Sequence, residues 1–255
     1  MAFKKLMTNI PPKTVLYIPG FLSGNDSQAE MLHALGDVFP SSYSISSLPW
    51  ERKTTNEWSF PWESMDIESF SDSWNNYLSK TALTVSSLPS DNKFIPSKAF
   101  LPLDLGVRWI QALDSAEKTA KAIAKSLLHL SEEEREKIIL VGHSLGANII
   151  LKILYKLNLK RARIWKALLL GAAINNNDNI IRPACNGVKD KIISVINIAD
   201  YILGIYSLVS SEHALGHGFR GLINRQQFLE ISTDPFPEHG GLFYLQQLRK
   251  KSESI

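Results

Sequence analysis

Ile138-Ile139-Leu140-Val141-Gly142-His143-Ser144-Leu145-Gly146-Ala147-Asn148-Ile149-Ile150 decides how this chain is read. An apolar run of strand length ends in Gly142-His143-Ser144-Leu145-Gly146, and a helix-compatible run follows at once. G-x-S-x-G between a strand and a helix marks a serine lifted out of a sheet edge by a sharp turn. Glycines on either side of the serine relieve crowding at such a turn. The amide of Leu145 then opens the helix, where backbone N–H groups favour negative charge. Ser144 is therefore a candidate nucleophile, and Leu145 N–H a candidate donor to an oxyanion.

Outward from this stretch, short apolar runs alternate with helical patterns. Thr14–Ile18 reads as a strand ended by Pro19-Gly20-Phe21-Leu22. A helix through Met31, Leu32 and Leu35 should stop near Gly36, and Tyr43–Leu48 reads as a second strand. Val107–His129 repeats its apolar residues at three- and four-residue steps, with small alanines suited to close packing on a sheet. Trp165–Leu170, Ile192–Ile198 and Gln227–Ser232 read as further strands, and Leu242–Lys250 as a terminal helix. Such alternation predicts a parallel sheet covered on both faces, with ligands beyond the carboxyl ends of the strands. Residues 52–105 depart from the pattern. They hold Trp58, Phe60, Trp62, Trp74, Phe94 and Phe100 among many serines, and are too long for a simple connection. They read as a partly helical, lid-like insertion, helical over Ile67–Leu83, in a single domain spanning 1–255.

At 255 residues, 44% hydrophobic and 21% charged, the chain has ordinary globular usage and a core of useful size. A net charge of +3 is too small to imply a nucleic-acid partner. The charged runs Glu132–Lys137 and Lys156–Lys166 read as solvated helix ends. With one cysteine, Cys185, no intrachain disulfide can form, which fits a reducing compartment. Met1–Lys13 lacks the apolar core of about 7–15 residues that a secretory signal needs. No window approaches the roughly 18 apolar residues of a membrane span. A cytoplasmic location is expected.

A serine hydroxyl needs a general base, and the base needs an orienting acid. In a G-x-S-x-G sheet the chain order is nucleophile, acid, base. Asp200 and His239 each follow a predicted strand in that order. His213 and His217 are the rival bases, and Asp178 and Asp234 the rival acids. His143 adjoins the serine but is expected to point away and pack nearby. The second oxyanion donor should come from the loop after the first strand, where Phe21 N–H is the choice and Leu22 the fallback.

Two competing motifs fail on context. Gly216-His217-Gly218-Phe219-Arg220-Gly221 spells G-x-G-x-x-G but neither follows a strand nor opens a helix, so no dinucleotide cofactor is expected. His213 and His217 are four apart, but Gly216 disfavours a helix there and no third ligand is in view, so no metal is expected.

Through the Ser144 turn and the ordered Asp200 and His239, the sequence resembles the α/β-hydrolase superfamily. More narrowly, it is similar to a branch of predicted hydrolases that includes eukaryotic transmembrane-and-coiled-coil-domain proteins. Tyr17–Leu22, Leu48–Glu51, Ala112–Lys118, Asn197–Gly204 and Leu215–Gly218 with Gly221-Leu222 carry that resemblance. Eukaryotic members often place tyrosine before the serine, where this chain has His143, and they carry membrane segments not seen in this sequence. The resemblance implies an α/β-hydrolase fold and a Ser144–Asp200–His239 triad. The expected activity is cleavage of carboxylic esters, lipid or other acyl esters above all, with transient membrane-surface contact. The alternatives are a hydrolase-fold scaffold without turnover and an acyltransferase using the same triad.

Overall fold

A computed structural model of the chain describes residues 13–20, 28–39, 41–47, 103–176, 178–210, 214–219 and 227–253. Six strands form one sheet in the order β2-β1-β3-β4-β5-β6, every neighbouring pair parallel. They are β1 (Thr14–Ile18), β2 (Ser44–Ser47), β3 (Ile138–His143), β4 (Lys166–Leu170), β5 (Ile192–Ile196) and β6 (Phe228–Ser232). The helices are α1 (Gln28–Val38), α2 (Leu103–Leu128), α3 (Glu132–Arg135), α4 (Leu145–Leu159), α5 (Asp178–Cys185), α6 (Tyr201–Ser210) and α7 (Gly241–Glu253).

Parallel strands need crossovers, and the crossovers cover both faces of the sheet. Successive strand residues point to opposite faces. Val15, Tyr17, Ile139, Val141, Leu168, Leu170, Ile193 and Val195 face a core shared with α1 and α7. Ile138, Leu140, Ala167, Leu169 and Ile192 face the other core, shared with α2, α4 and α5. Six consecutive residues of β3 are buried, as befits a central strand. The alanine face of α2 (Ala112, Ala116, Ala120, Ala124) is buried, chiefly against α4 rather than directly on the sheet.

Several elements differ from the sequence expectation. The helix α2 begins at Leu103, so the insertion expected over 52–105 is shorter by its last residues. The remainder of that insertion, and the helix expected over Ile67–Leu83, lie outside the described residues. The helices α5 and α6 were not legible. Asparagines and an internal Pro183 hide α5, and the near-continuous apolar run of α6 has no polar face to reveal a helical period.

The charged runs divide between solvent and core. Glu132–Arg135 is a solvated single turn closed by a capping box between Ser131 and Glu134. Lys166, expected on a solvated helix end, is instead buried at the start of β4 and paired with Asp190 at 2.7 Å. Beside it, Lys13 lies with Nζ 3.2 Å from the centre of the Trp165 ring. Burial, then the charge of Lys166, pulls the Lys13 ammonium down to about 7. This cluster sits at the amino ends of the strands, opposite Ser144. No helix among the described residues is long and apolar enough to cross a membrane.

Candidate active site

The turn at Ser144 is as sharp as the sequence implies. Ser144 adopts φ 52° and ψ −117°, a region that costs a non-glycine residue about 1–3 kcal/mol. The elements on either side offset this. Leu151, Ile153, Leu154 and Leu157 of α4 are fully buried, and each such side chain contributes about 1.5–3 kcal/mol. The flanking glycines are required by backbone approach. A Cβ on Gly142 would lie 2.6 Å from the Gly146 carbonyl oxygen, and one on Gly146 would lie 2.2 Å from that of Ile18. The Leu145 amide, first in α4, has no intrahelical acceptor four residues back and is free to serve a ligand. Gly20, two residues after β1, lies against Ser144, since a Cβ there would approach Ser144 Cβ to 2.7 Å. The loop expected to complete the oxyanion hole therefore leaves the sheet beside Ser144. Phe21 and Leu22 themselves lie outside the described residues.

Asp200 and His239 meet. His239 Nδ1 is 2.6 Å from Asp200 Oδ2, and both side chains are buried. The same oxygen accepts the Tyr244 hydroxyl at 2.5 Å, and Asp200 Oδ1 accepts the Leu203 amide at 3.1 Å. Burial pushes the Asp200 carboxyl up. The nearby His239, its hydrogen bond, and those from Tyr244 and Leu203 outweigh burial and hold the carboxyl below its ordinary value. An ionised carboxylate only accepts, so neutral His239 carries its proton on Nδ1 and presents a bare Nε2. That nitrogen is buried and has no hydrogen-bond partner among the described residues.

The loops bearing Asp200 and His239 are fastened to each other. Asn197 Nδ2 donates to the carbonyls of Phe236 at 2.7 Å and Glu238 at 3.2 Å. The Asn197 side-chain oxygen accepts the Ala199 amide at 3.0 Å. The rivals fall elsewhere. His217 Nε2 meets the Asp200 main-chain carbonyl at 2.9 Å, not its carboxylate. Asp234 pairs with Lys250 and Lys251 at 2.8 and 3.0 Å. Asp178 opens α5, and His213 lies outside the described residues.

His143 was expected to pack nearby, and it packs against His239. Its ring centre is 4.8 Å from that of His239, and its Nε2 is 2.5 Å from the His239 carbonyl oxygen. Because a carbonyl only accepts, Nε2 carries the proton. Burial first, then the His239 ring, pushes the His143 imidazole down to about 3. Unfolded His143 takes up a proton below about 6.5, whereas the folded one stays neutral until about 3. The unfolded state thus binds more protons in that window, and stability falls as pH drops through it. In His143→Gln, which can keep the donor without titrating, urea unfolding should lose that part of its pH slope. An unchanged slope would show that His143 titrates as if exposed.

Asn197 and Tyr244 are the members of this site that sequence reasoning missed, and the contact of His143 with His239 is the one it left open. A histidine inside the elbow was the one local signal; a tyrosine in a terminal helix offers none. Among the described residues no group of three or more His, Cys, Asp or Glu gathers to hold a metal. The G-x-G-x-x-G glycine Gly216 sits in a 3₁₀ turn, where its amide donates to Ala172 and its carbonyl accepts from Asn197.

Strand order, elbow and the placement of residues after β5 and β6 define an α/β-hydrolase fold. Residues 2–222 match the family described as "Protein of unknown function (DUF726)", and the chain belongs to that family. The match ends before His239. A segment of 101 residues is 31% identical to the transmembrane and coiled-coil domain-containing protein STS1 of Oryza sativa subsp. japonica. It covers 38% of this chain and 15% of the rice protein. Among solved structures, RedJ, titled a thioesterase from the prodiginine biosynthetic pathway in Streptomyces coelicolor, matches at 12% identity and a TM-score of 0.41. That match covers 96% of this chain and 85% of the other. A second RedJ structure, with a PEG molecule in its active site, gives 0.37 at 12% identity, covering 97% and 90%.

Proposed function

We propose that the protein is a serine hydrolase that cleaves carboxylic esters, lipid or other acyl esters, through an acyl-enzyme on Ser144. The observation that carries this reading is His239: its Nδ1 is committed to Asp200, and its Nε2 is buried, bare and set beside the strand end that bears Ser144. Among the described residues Nε2 makes no hydrogen bond. On this reading the contact to Ser144 Oγ forms as substrate binds, as catalytic hydrogen bonds commonly tighten in the Michaelis complex.

His239 takes the Ser144 proton as Oγ attacks the ester carbonyl, and Asp200 stabilises the imidazolium. The Leu145 amide and a second amide from Phe21 hold the oxyanion. The proton passes from Nε2 to the leaving alcohol, and water repeats the sequence on the acyl-enzyme. An apolar substrate is favoured by the rim of the site. Ile198 and Phe236 are 71% and 56% exposed on the loops that carry Asp200 and His239, where solvent alone would favour polar residues. The insertion expected from residue 52 up to the start of α2, within a single domain, would roof an acyl pocket and contact a membrane surface transiently. A cytoplasmic setting fits this reading, with a small-molecule ester as partner and no nucleic acid.

Labelling with a fluorophosphonate probe tests the reading. The folded protein should label, and Ser144→Ala should not. A series of chromogenic esters of increasing chain length should then favour the longer acyl groups. Absence of Ser144-dependent labelling across several pH values would favour the scaffold reading.

A further inference from the structure

Tyr244 is fully buried on the first turn of α7, five residues after His239. Its ring reaches the acid through a slot at the end of β4. A Cβ on Gly171 would lie 2.5 Å from Tyr244 Cζ and 2.6 Å from its hydroxyl oxygen, and Gly171 adopts φ +50°. The strand end therefore carries no side chain where the phenol must pass. The hydroxyl then donates to Asp200 Oδ2 at 2.5 Å, the oxygen that also accepts His239 Nδ1. Burial, then the Asp200 charge and this hydrogen bond, raise the phenol well above its ordinary value, so it remains a neutral donor at any working pH.

We propose that Tyr244 is a positioning residue that tunes the acid–base pair by holding Asp200 Oδ2 against His239 and taking up part of its charge. The inference rests on the reading of His239 as the base. A donor on that oxygen weakens its hold on an imidazolium, so His239 becomes a free base at lower pH than it would with phenylalanine at 244. Other titratable groups among the described residues also face the pair. His143 approaches from the end of β3 and bonds the His239 carbonyl. His217 bonds the main-chain carbonyl of Asp200. Tyr201 opens α6, its phenol pushed up by burial and then by Asp200. Glu238, beside His239, is exposed.

The test is Tyr244→Phe, which keeps the ring and its packing. The His239 imidazole is followed by NMR titration, assigned with His239→Asn, alongside the pH profile of ester turnover. The His239 midpoint and the acid limb of kcat/KM should both move to higher pH by about half to one unit, the scale of one hydrogen bond to a charged group. In a second protein, 3-fluorotyrosine placed at 244 is a stronger donor, and the midpoint should move the other way. A shifted midpoint without any ester turnover would support the tuning role while sinking the hydrolase reading. A His239 midpoint that stays put in both folded variants would overturn the proposal, whether or not esters are cleaved.

Discussion

Asp200→Asn should lower ester turnover by about 10⁴-fold in a protein that still folds, the scale of losing the orienting acid of a serine triad. The reason lies in what surrounds the carboxylate. Asp200 accepts from His239 Nδ1 and Tyr244 on Oδ2 and from the Leu203 amide on Oδ1. Asparagine offers one oxygen and one NH₂ in their place. With the oxygen kept on Leu203, the NH₂ confronts both His239 and the Tyr244 hydroxyl. Neutral His239 must then carry its proton on Nε2, where it cannot accept one from Ser144. With the oxygen turned to His239, the NH₂ faces the Leu203 amide and leaves that donor unpaired. The first arrangement disables the base; the second costs stability, of order 1–3 kcal/mol for a buried unpaired group. Turnover of a chromogenic ester, with circular dichroism to show folding, checks this. A loss under about tenfold would remove Asp200 from the role.

Gly146→Ala should destabilise the fold by on the order of 3 kcal/mol, with a fall of about 10 °C in Tm for a chain of this size. The new Cβ would stand 2.2 Å from the Ile18 carbonyl oxygen and 2.6 Å from that of Pro19. Both are backbone atoms, so no side-chain rotation relieves the clash. Either α4 must withdraw from the end of β1 or the elbow must open, and both movements displace Ser144. Gly204→Ala is the matched control. It lies inside α6 with nothing among the described residues within 4 Å of its Cβ position, and alanine there should stabilise by about 0.5–1 kcal/mol. Urea melts of the two variants should move in opposite directions. A Gly146→Ala protein melting like the parent would mean that β1 and α4 do not approach this closely.

Much of the architecture is legible locally. Ile138–Val141 is apolar without alternation, the mark of a strand buried on both faces, and two glycines around one serine specify a turn that other residues cannot fill. Chain order then nominates Asp200 and His239, because in a parallel sheet each carboxyl end delivers its next residue to the same edge. Local rules fail where burial replaces periodicity. The near-continuous apolar run of α6 and the proline of α5 carry no helical signature, yet tertiary packing, that of α5 on α4 included, makes both helices.

Composition and spacing therefore suffice for the strand alternation and for the elbow that carries Ser144, since each depends on contacts between residues close in sequence. The pairing of His239 rather than His217 with the Asp200 carboxylate, the pairing of Tyr244 with Asp200 through the slot at Gly171, and the grip of His143 on His239 belong to tertiary structure. They join groups 17 to 96 residues apart. Such distances are set by how the crossovers stack on the sheet, and local propensity carries no information about them.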